Sequence, residues 1–277
     1  MVSLVAVSYH ARALSAESHF ANTRTVGHPL IHLGYAYEFD SREIAMEALG
    51  LAATQYNFLH KYLDDSSYTR KSPFSSNSPL ELINKLASDN RFDGLFKEPG
   101  FANIEPLFQN HESLVLEYWN AWDLSSTSSA NPIEQFRESQ EVAVALLVST
   151  VRPSTHAYNF FVVHLLTTSH AVRILLPLLP AKFHVSLVRQ WWLLTLAVYI
   201  AELRPKIDPD YVPGDLKGKG WKYVEYQALN SAWSTDAHYV KGEFGDEIPW
   251  FGIGMFLLTC GSYPGDERSV KDLGRCS

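Results

Sequence analysis

The segment GHPLIHLG at residues 27–34 places His28 and His32 four residues apart among apolar side chains. On an α-helix, residues four apart lie on one face, with their Cβ atoms about 6 Å apart. Two imidazoles at this spacing can bind one metal ion, as they do in metalloprotease helices. Pro29 fits a helix only in its first turn, so His28 should begin the helix. The alternative, which the pair taken alone favours, is two buried histidines bonded to carbonyl or carboxylate oxygens.

A second group of histidines lies in the apolar segment 154–172. His156 and His164 are eight residues apart, about 80° around a helix, so they could share one face. His170 lies farther round the same helix. Taken alone, His164 is better explained as a core histidine whose hydrogen bonds are satisfied than as a metal ligand.

A third group, in the segment 231–244, contains Asp236, His238 and Lys241. His238 and Lys241 are three residues apart and would be neighbours on a helix. Burial lowers the pKa of a lysine, because desolvation disfavours the ammonium form. The neutral amine can then take up carbon dioxide and become a carbamate, which is a carboxylate-like ligand for a metal. The alternative is an exposed helix end with ordinary polar residues.

Together the three groups predict one metal site built from side chains on facing helices, as in helical bundles. Imidazole nitrogens combined with a carboxylate-type oxygen suit iron, zinc or manganese.

Helical periodicity dominates the elements that would position these residues, and strand signals are scarce. The predicted class is therefore all-α, with one bundle-like helical domain over 1–241 and an irregular tail over 242–277. Helices are predicted at 42–63, 79–88, 105–122, 132–150, 154–169, 170–179, 181–204 and 219–240.

Composition excludes several functional classes. The chain has 277 residues, 46 % of them hydrophobic, a net charge of −7 and no long basic run, so nucleic acid is not an expected partner. Its two cysteines, Cys260 and Cys276, exclude a disulfide framework and favour a reducing compartment. The apolar run 191–201 is too short to span a membrane. We therefore expect a cytoplasmic protein that does not bind membranes.

The order of these motifs resembles the fungal questin oxidase-like family, which includes oxidoreductases of aflatoxin biosynthesis and enzymes that cleave anthraquinone rings. The resemblance covers GHPLIHLGYAYEF, then HxxxFFxxHLLTTS at 156–169, then Trp233, Asp236, His238 and Lys241, and runs from about residue 20 to 241. It implies a mainly helical oxidoreductase that uses dioxygen to open the anthraquinone ring of a polyketide intermediate in fungal secondary metabolism, with a Baeyer–Villiger-type outcome.

For the site, the resemblance implies a non-heme iron dioxygenase whose Fe(II) is held by four histidines and a carboxylated lysine. The matching metal ligands would be His28, His32, His164, His238 and Lys241, with His156 as a further candidate. The partners implied are an aromatic polyketide and dioxygen. NADPH would enter through a partner reductase, and no flavin motif is present: the glycines at 218–220 and 252–254 lack the strand–helix context of a dinucleotide fold.

Two departures from the family leave alternatives open. Related chains carry a longer N-terminal region with a His-rich HNH-like segment, whereas only His10 and His19 precede His28 here. The residues after Lys241 are acidic instead of basic. We therefore expect an N-terminally truncated version of the family fold, and the alternative function is a catalytically inactive helical paralogue without a metal. A zinc-dependent hydrolase on the same histidines is the third possibility.

Overall fold

The computed structural model describes residues 27–54, 58–124, 132–150 and 159–211, together with a few positions between 223 and 235. Within these residues the chain is all-α, as predicted, and the β-type pairing seen there is one isolated bridge between Ser76 and Trp122. The α-helices of the described part are α1 His28–Glu38, α2 Arg42–Thr54, α3 His60–Asp64, α4 Pro79–Ala87, α5 Ile104–Trp119, α6 Pro132–Val148, α7 Phe160–Leu175 and α8 His184–Ala201.

Local sequence signals account for where several helices begin. Gly27 adopts the left-handed conformation (φ 74°) directly before α1, and Pro29 occupies the first turn as expected. The hydroxyl of Ser78 accepts a hydrogen bond from the amide of Glu81, which caps α4, and this helix begins at residue 79 as predicted. Asn159 caps α7 with its side-chain oxygen, which accepts from two amides of the first turn.

Three predicted helix boundaries are wrong. The single helix predicted over 42–63 is two helices, α2 and α3. The two helices predicted at 154–169 and 170–179 are one helix that begins only at Phe160. The apolar period runs across the junction between α2 and α3, so periodicity alone could not locate that junction.

The core lies around α7 and α8, whose residues are nearly all buried. Trp119, Trp191 and Trp192 are completely enclosed there. Each indole nitrogen donates to a backbone carbonyl, for example Trp191 to Leu165 at 3.1 Å. These rings therefore fill the core without leaving a donor unpaired.

Close packing of backbone on backbone joins α1 to α7. A Cβ added to Gly34 would stand 2.7 Å from both Cα and Cβ of Ala171, and one added to Gly27 would collide with the methyl group of Thr168. Only glycine allows the two helices to approach this closely. The histidines on α1 are thereby brought against α7.

One helical segment of the described chain, Phe160–Leu178, is apolar and long enough to cross a membrane by length and composition alone. Since 72 % of its window is buried inside the fold, a core position accounts for its composition. The predicted tail at 242–277 lies outside the described residues. The predicted domain division and cytoplasmic location remain predictions.

Candidate metal site between α1 and α7

Two histidines predicted as metal ligands meet between α1 and α7. His28 is the first residue of α1, and His164 lies one turn into α7. Their Nε2 atoms are 3.2 Å apart, and their ring centroids are 5.1 Å apart. The two residues are 136 positions apart in the chain, so only the packing of the helices brings them together.

The separation of these nitrogens fits two ligands of one ion. Nitrogens that are each about 2.1 Å from an ion stand roughly 3.0 to 3.4 Å apart when the angle between them is about 90° to 109°. The observed 3.2 Å lies inside that range. The same distance also suits a hydrogen bond from one imidazole to the other.

The hydrogen bond to Phe160 fixes the tautomer of His164. The Nδ1 atom of His164 lies 2.7 Å from the carbonyl oxygen of Phe160, one turn earlier on α7. Because a carbonyl can only accept, Nδ1 carries the hydrogen. A neutral His164 therefore has its lone pair on Nε2, the atom that faces His28. This is the tautomer that a histidine ligand adopts when a backbone carbonyl holds its other nitrogen.

His32 lies one turn beyond His28 on the same helix, as the spacing predicted. The two ring centroids are 6.0 Å apart. The Nδ1 atom of His32 is 3.3 Å from the carboxylate of Glu47 on α2. A carboxylate behind Nδ1 again leaves Nε2 as the atom with the lone pair.

The remaining predicted ligands, His156, His238 and Lys241, lie outside the described residues. The described part of α7 begins at Phe160, so the predicted spacing between His156 and His164 is not tested. Within the ranges that the structure describes, no group of three or more His, Cys, Asp or Glu side chains is placed to hold a metal ion. Metal binding by the full set of six residues therefore stays a prediction.

His170 belongs to a separate polar cluster that sequence reasoning did not find. Its Nε2 atom lies 2.9 Å from the carboxylate of Glu38, and its Nδ1 atom lies 3.1 Å from the guanidinium of Arg173. Arginine can only donate, so Nδ1 accepts and Nε2 donates to Glu38. Both ring nitrogens are therefore engaged, which excludes His170 from the ligand set. Burial, with a smaller contribution from Glu38, raises the pKa of the nearby Tyr35 to about 12.

A buried carboxylate, Glu202, follows the end of α8, where the sequence showed only a charge flanking an apolar run. The side-chain amide of Asn159 donates to one of its oxygens, at 2.5 Å. The other oxygen, Oε1, is buried and has no hydrogen-bond partner among the described residues. Burial raises the pKa of Glu202, although the hydrogen bond from Asn159 opposes this change.

Comparison with known proteins supports the resemblance seen in the sequence. The questin oxidase-like family matches residues 19–242. A curated relative, a Baeyer–Villiger oxidase from Pestalotiopsis microspora, is 26 % identical over 232 aligned residues, which cover 77 % of this chain and 50 % of the relative. The chain thus spans about half the length of that relative. With the family matched over most of its residues, the chain belongs to the questin oxidase-like family.

Proposed function

We propose that this protein is an oxidoreductase that uses dioxygen to cleave a ring of an aromatic polyketide, such as an anthraquinone, at a non-heme iron site. The observation that carries the proposal is the 3.2 Å separation of His28 Nε2 and His164 Nε2. The family membership and the name of the Baeyer–Villiger oxidase relative support the same class of reaction.

Three of the proposed ligands lie among the described residues. The Nε2 atoms of His28 and His164 are 3.2 Å apart, which supports a shared ion, and His32 has its Nδ1 atom against Glu47. His238 and a carboxylated Lys241 complete the set that the family resemblance implies, with His156 as the further candidate. A bound ferrous ion would supply the one-electron chemistry that allows dioxygen to react with an electron-rich aromatic ring.

The contacts of His164 suit it to hold a fixed ligand geometry. Besides the bond from its ring to Phe160, its own carbonyl accepts from the hydroxyl of Thr168 at 2.6 Å. The ring of Phe160 stands edge-on to the imidazole, with centroids 4.8 Å apart. His164 is 4 % exposed. These contacts restrict rotation of the imidazole and keep water from its ring.

The overall reaction needs no electrons beyond those of a reduced substrate. A hydroquinone and one dioxygen give a product with one oxygen inserted beside a ring carbonyl, and the second oxygen atom leaves as water. Hydrolysis of the resulting ester opens the ring to a carboxylic acid. An NADPH-dependent partner reductase would supply the hydroquinone, so this chain itself would bind neither NADPH nor flavin.

Metal analysis and isotope labelling test the proposal. The protein is loaded with ferrous iron without oxygen, desalted and assayed for metals by mass spectrometry. We expect about one iron per chain in the native protein, and none in His28→Ala, His164→Ala or Lys241→Ala. His184→Ala is the matched control, because His184 lies at the start of α8 and is bonded to the carbonyl of Leu179.

The reaction is then run with a chemically reduced anthraquinone under ¹⁸O₂. We expect a ring-opened product that carries one ¹⁸O atom, formed by the native protein and by His184→Ala. Autoxidation without enzyme returns unlabelled quinone and so serves as the background. Retention of zinc with no oxygen uptake would instead favour a hydrolase, and a protein that retains no metal would favour the inactive paralogue. Unchanged iron content in His164→Ala contradicts the proposed site.

A further inference from the structure

The side chain of Asn159 joins the start of α7 to the residue that follows α8. Its oxygen accepts from the amides of Phe161 and Val162, at 2.8 and 3.2 Å. Its amide nitrogen donates to Glu202. The next residue, Phe160, provides the carbonyl that holds Nδ1 of His164. A continuous set of contacts therefore leads from Glu202 to the imidazole that faces His28.

The position of Glu202 is costly for stability alone. The residue is 8 % exposed, and one of its oxygens has no partner among the described residues. It directly follows the C-terminus of α8, where the helix dipole disfavours negative charge, and it lies at the N-terminus of α7, where the dipole favours it. Capping of α7 requires only the oxygen of Asn159, which could bind the two amides without a carboxylate behind it.

The carboxylate and the two backbone amides of α7 together settle which way the amide of Asn159 points. An asparagine side chain has a donor end and an acceptor end of nearly the same shape. With Glu202 behind it, the donor end must face the carboxylate, because a reversed amide would place oxygen against oxygen. The acceptor end then faces the first turn of α7. This arrangement fixes that turn and the carbonyl of Phe160 within it.

We propose that Glu202 is a positioning residue for His164: through Asn159 it fixes the first turn of α7 and so keeps the hydrogen of His164 on Nδ1. The effect of Glu202 on iron affinity rests on the proposed function, whereas the effect of Glu202 on the tautomer of His164 does not. The tautomer can therefore be measured in protein without metal.

Nuclear magnetic resonance of protein labelled with ¹⁵N at histidine tests this inference, because long-range proton–nitrogen correlations distinguish the two tautomers. The signals of His164 are assigned with His164→Gln. In the native protein we expect the single tautomer with the hydrogen on Nδ1. Glu202→Leu removes the acceptor, and Asn159→Ser keeps a cap but is too short to reach Glu202. Both should show a mixture of tautomers, and their dissociation constants for Fe(II) should rise about tenfold.

Two variants serve as controls. Glu202→Gln retains a carbonyl oxygen that can accept from Asn159, so it should show the native spectrum. Ser78→Ala removes the cap of α4 and should leave His164 unchanged. Circular dichroism measures whether each variant is folded. If Glu202→Leu does not fold, the tautomer of His164 in Asn159→Ser decides the test.

A native His164 spectrum in folded Asn159→Ser or Glu202→Leu would overturn the inference. So would a changed spectrum in Glu202→Gln or in Ser78→Ala. A native protein that binds no iron, but whose tautomer shifts as expected in the variants, would support this inference and contradict the proposed function. If His164→Ala loses iron but the tautomer does not change in the Glu202 variants, the result supports the proposed function and contradicts this inference.

Discussion

Two polar regions of this protein differ in how completely their donors and acceptors are matched. In the first, at the turn that follows α4, Asp89 accepts from Arg91 at 2.7 Å and from the hydroxyl of Tyr118 at 2.8 Å. Arg91 also binds Glu117 at 2.9 Å. These hydrogen bonds, above all those from Arg91, hold the pKa of Asp89 well below its ordinary value. Each charged side chain here contacts a side chain of opposite charge, and Asp89 also accepts from a hydroxyl.

The second region, between α1, α7 and the end of α8, brings two imidazoles together and buries a carboxylate that is only partly paired. A ring nitrogen of His28 faces a ring nitrogen of His164, and one oxygen of Glu202 is buried without a partner among the described residues. A matched network stabilises a fold, whereas unmatched buried groups reduce its stability and are retained most often at functional sites. We interpret the first region as structural and the second as the site.

The largest expected effect comes from breaking the matched region. Arg204 is held by the carbonyls of Leu86 and Asp89, both at 2.8 Å, and by Asp93 at 2.7 Å. Arg204→Ala would remove these hydrogen bonds from a nearly buried guanidinium, and we expect it to lower the free energy of unfolding by about 3 kcal/mol. Urea denaturation measures the loss. Lys206→Ala is the control, because Lys206 is 84 % exposed and lies 3.8 Å from Asp208. A similar loss in both variants would contradict the structural role assigned to the matched region.

The next effect comes from separating the helices that carry the histidines. Gly34→Ala would place a methyl group 2.7 Å from the backbone of Ala171, and we expect a loss of about 2 kcal/mol together with loss of iron. Gly50→Ala on α2 is the matched control, because nothing lies within 4 Å of the added carbon. That variant should gain stability by about 0.5 kcal/mol, since alanine favours helices. If both variants behave alike, α1 and α7 do not pack as described.

Acid should weaken the matched region specifically. The pKa of Asp89 is lowered in the folded protein, so its stabilising contribution is complete above the ordinary carboxyl pKa and is lost as the pH falls below it. Asp89→Asn should therefore cost about 1.5 kcal/mol at pH 7 and less at pH 3, since the contribution is lost fully only below the lowered pKa. Urea denaturation at both pH values tests this. An equal cost at both would show that the charge of Asp89 is not responsible.

The smallest effect should be a gain in stability, in contrast to the losses above. The pKa of Glu202 is raised by burial, so its ionised form opposes folding above the ordinary carboxyl pKa. Glu202→Gln should therefore raise the free energy of unfolding by about 1 kcal/mol at pH 7, and this gain should vanish below about pH 4. The exposed Glu98→Gln serves as the control. A loss of stability in Glu202→Gln at pH 7 would show that the ionised carboxylate stabilises the fold, as the groups of the first region do.

Sequence reasoning located helices well where a local signal was present and poorly where it was not. The start of α4 at Pro79 was predicted correctly, because Ser78 caps it and capping is a contact between neighbours in the chain. The break between α2 and α3 was missed, since the apolar spacing continues across it. The start of α7 at Phe160 was missed too, although Asn159 is a favourable capping residue.

The sequence by itself determined the helical class, the family and the placement of His28 and His32 on one face of α1, because spacing along a helix fixes which side chains share a face. Only the tertiary structure decided that His164 faces His28, that His170 binds Glu38 and that Glu202 is buried behind Asn159. Those contacts join residues 43 or more positions apart. They depend on how closely the helices pack, as at Gly34 and Ala171, and periodicity within one helix carries no information about that distance.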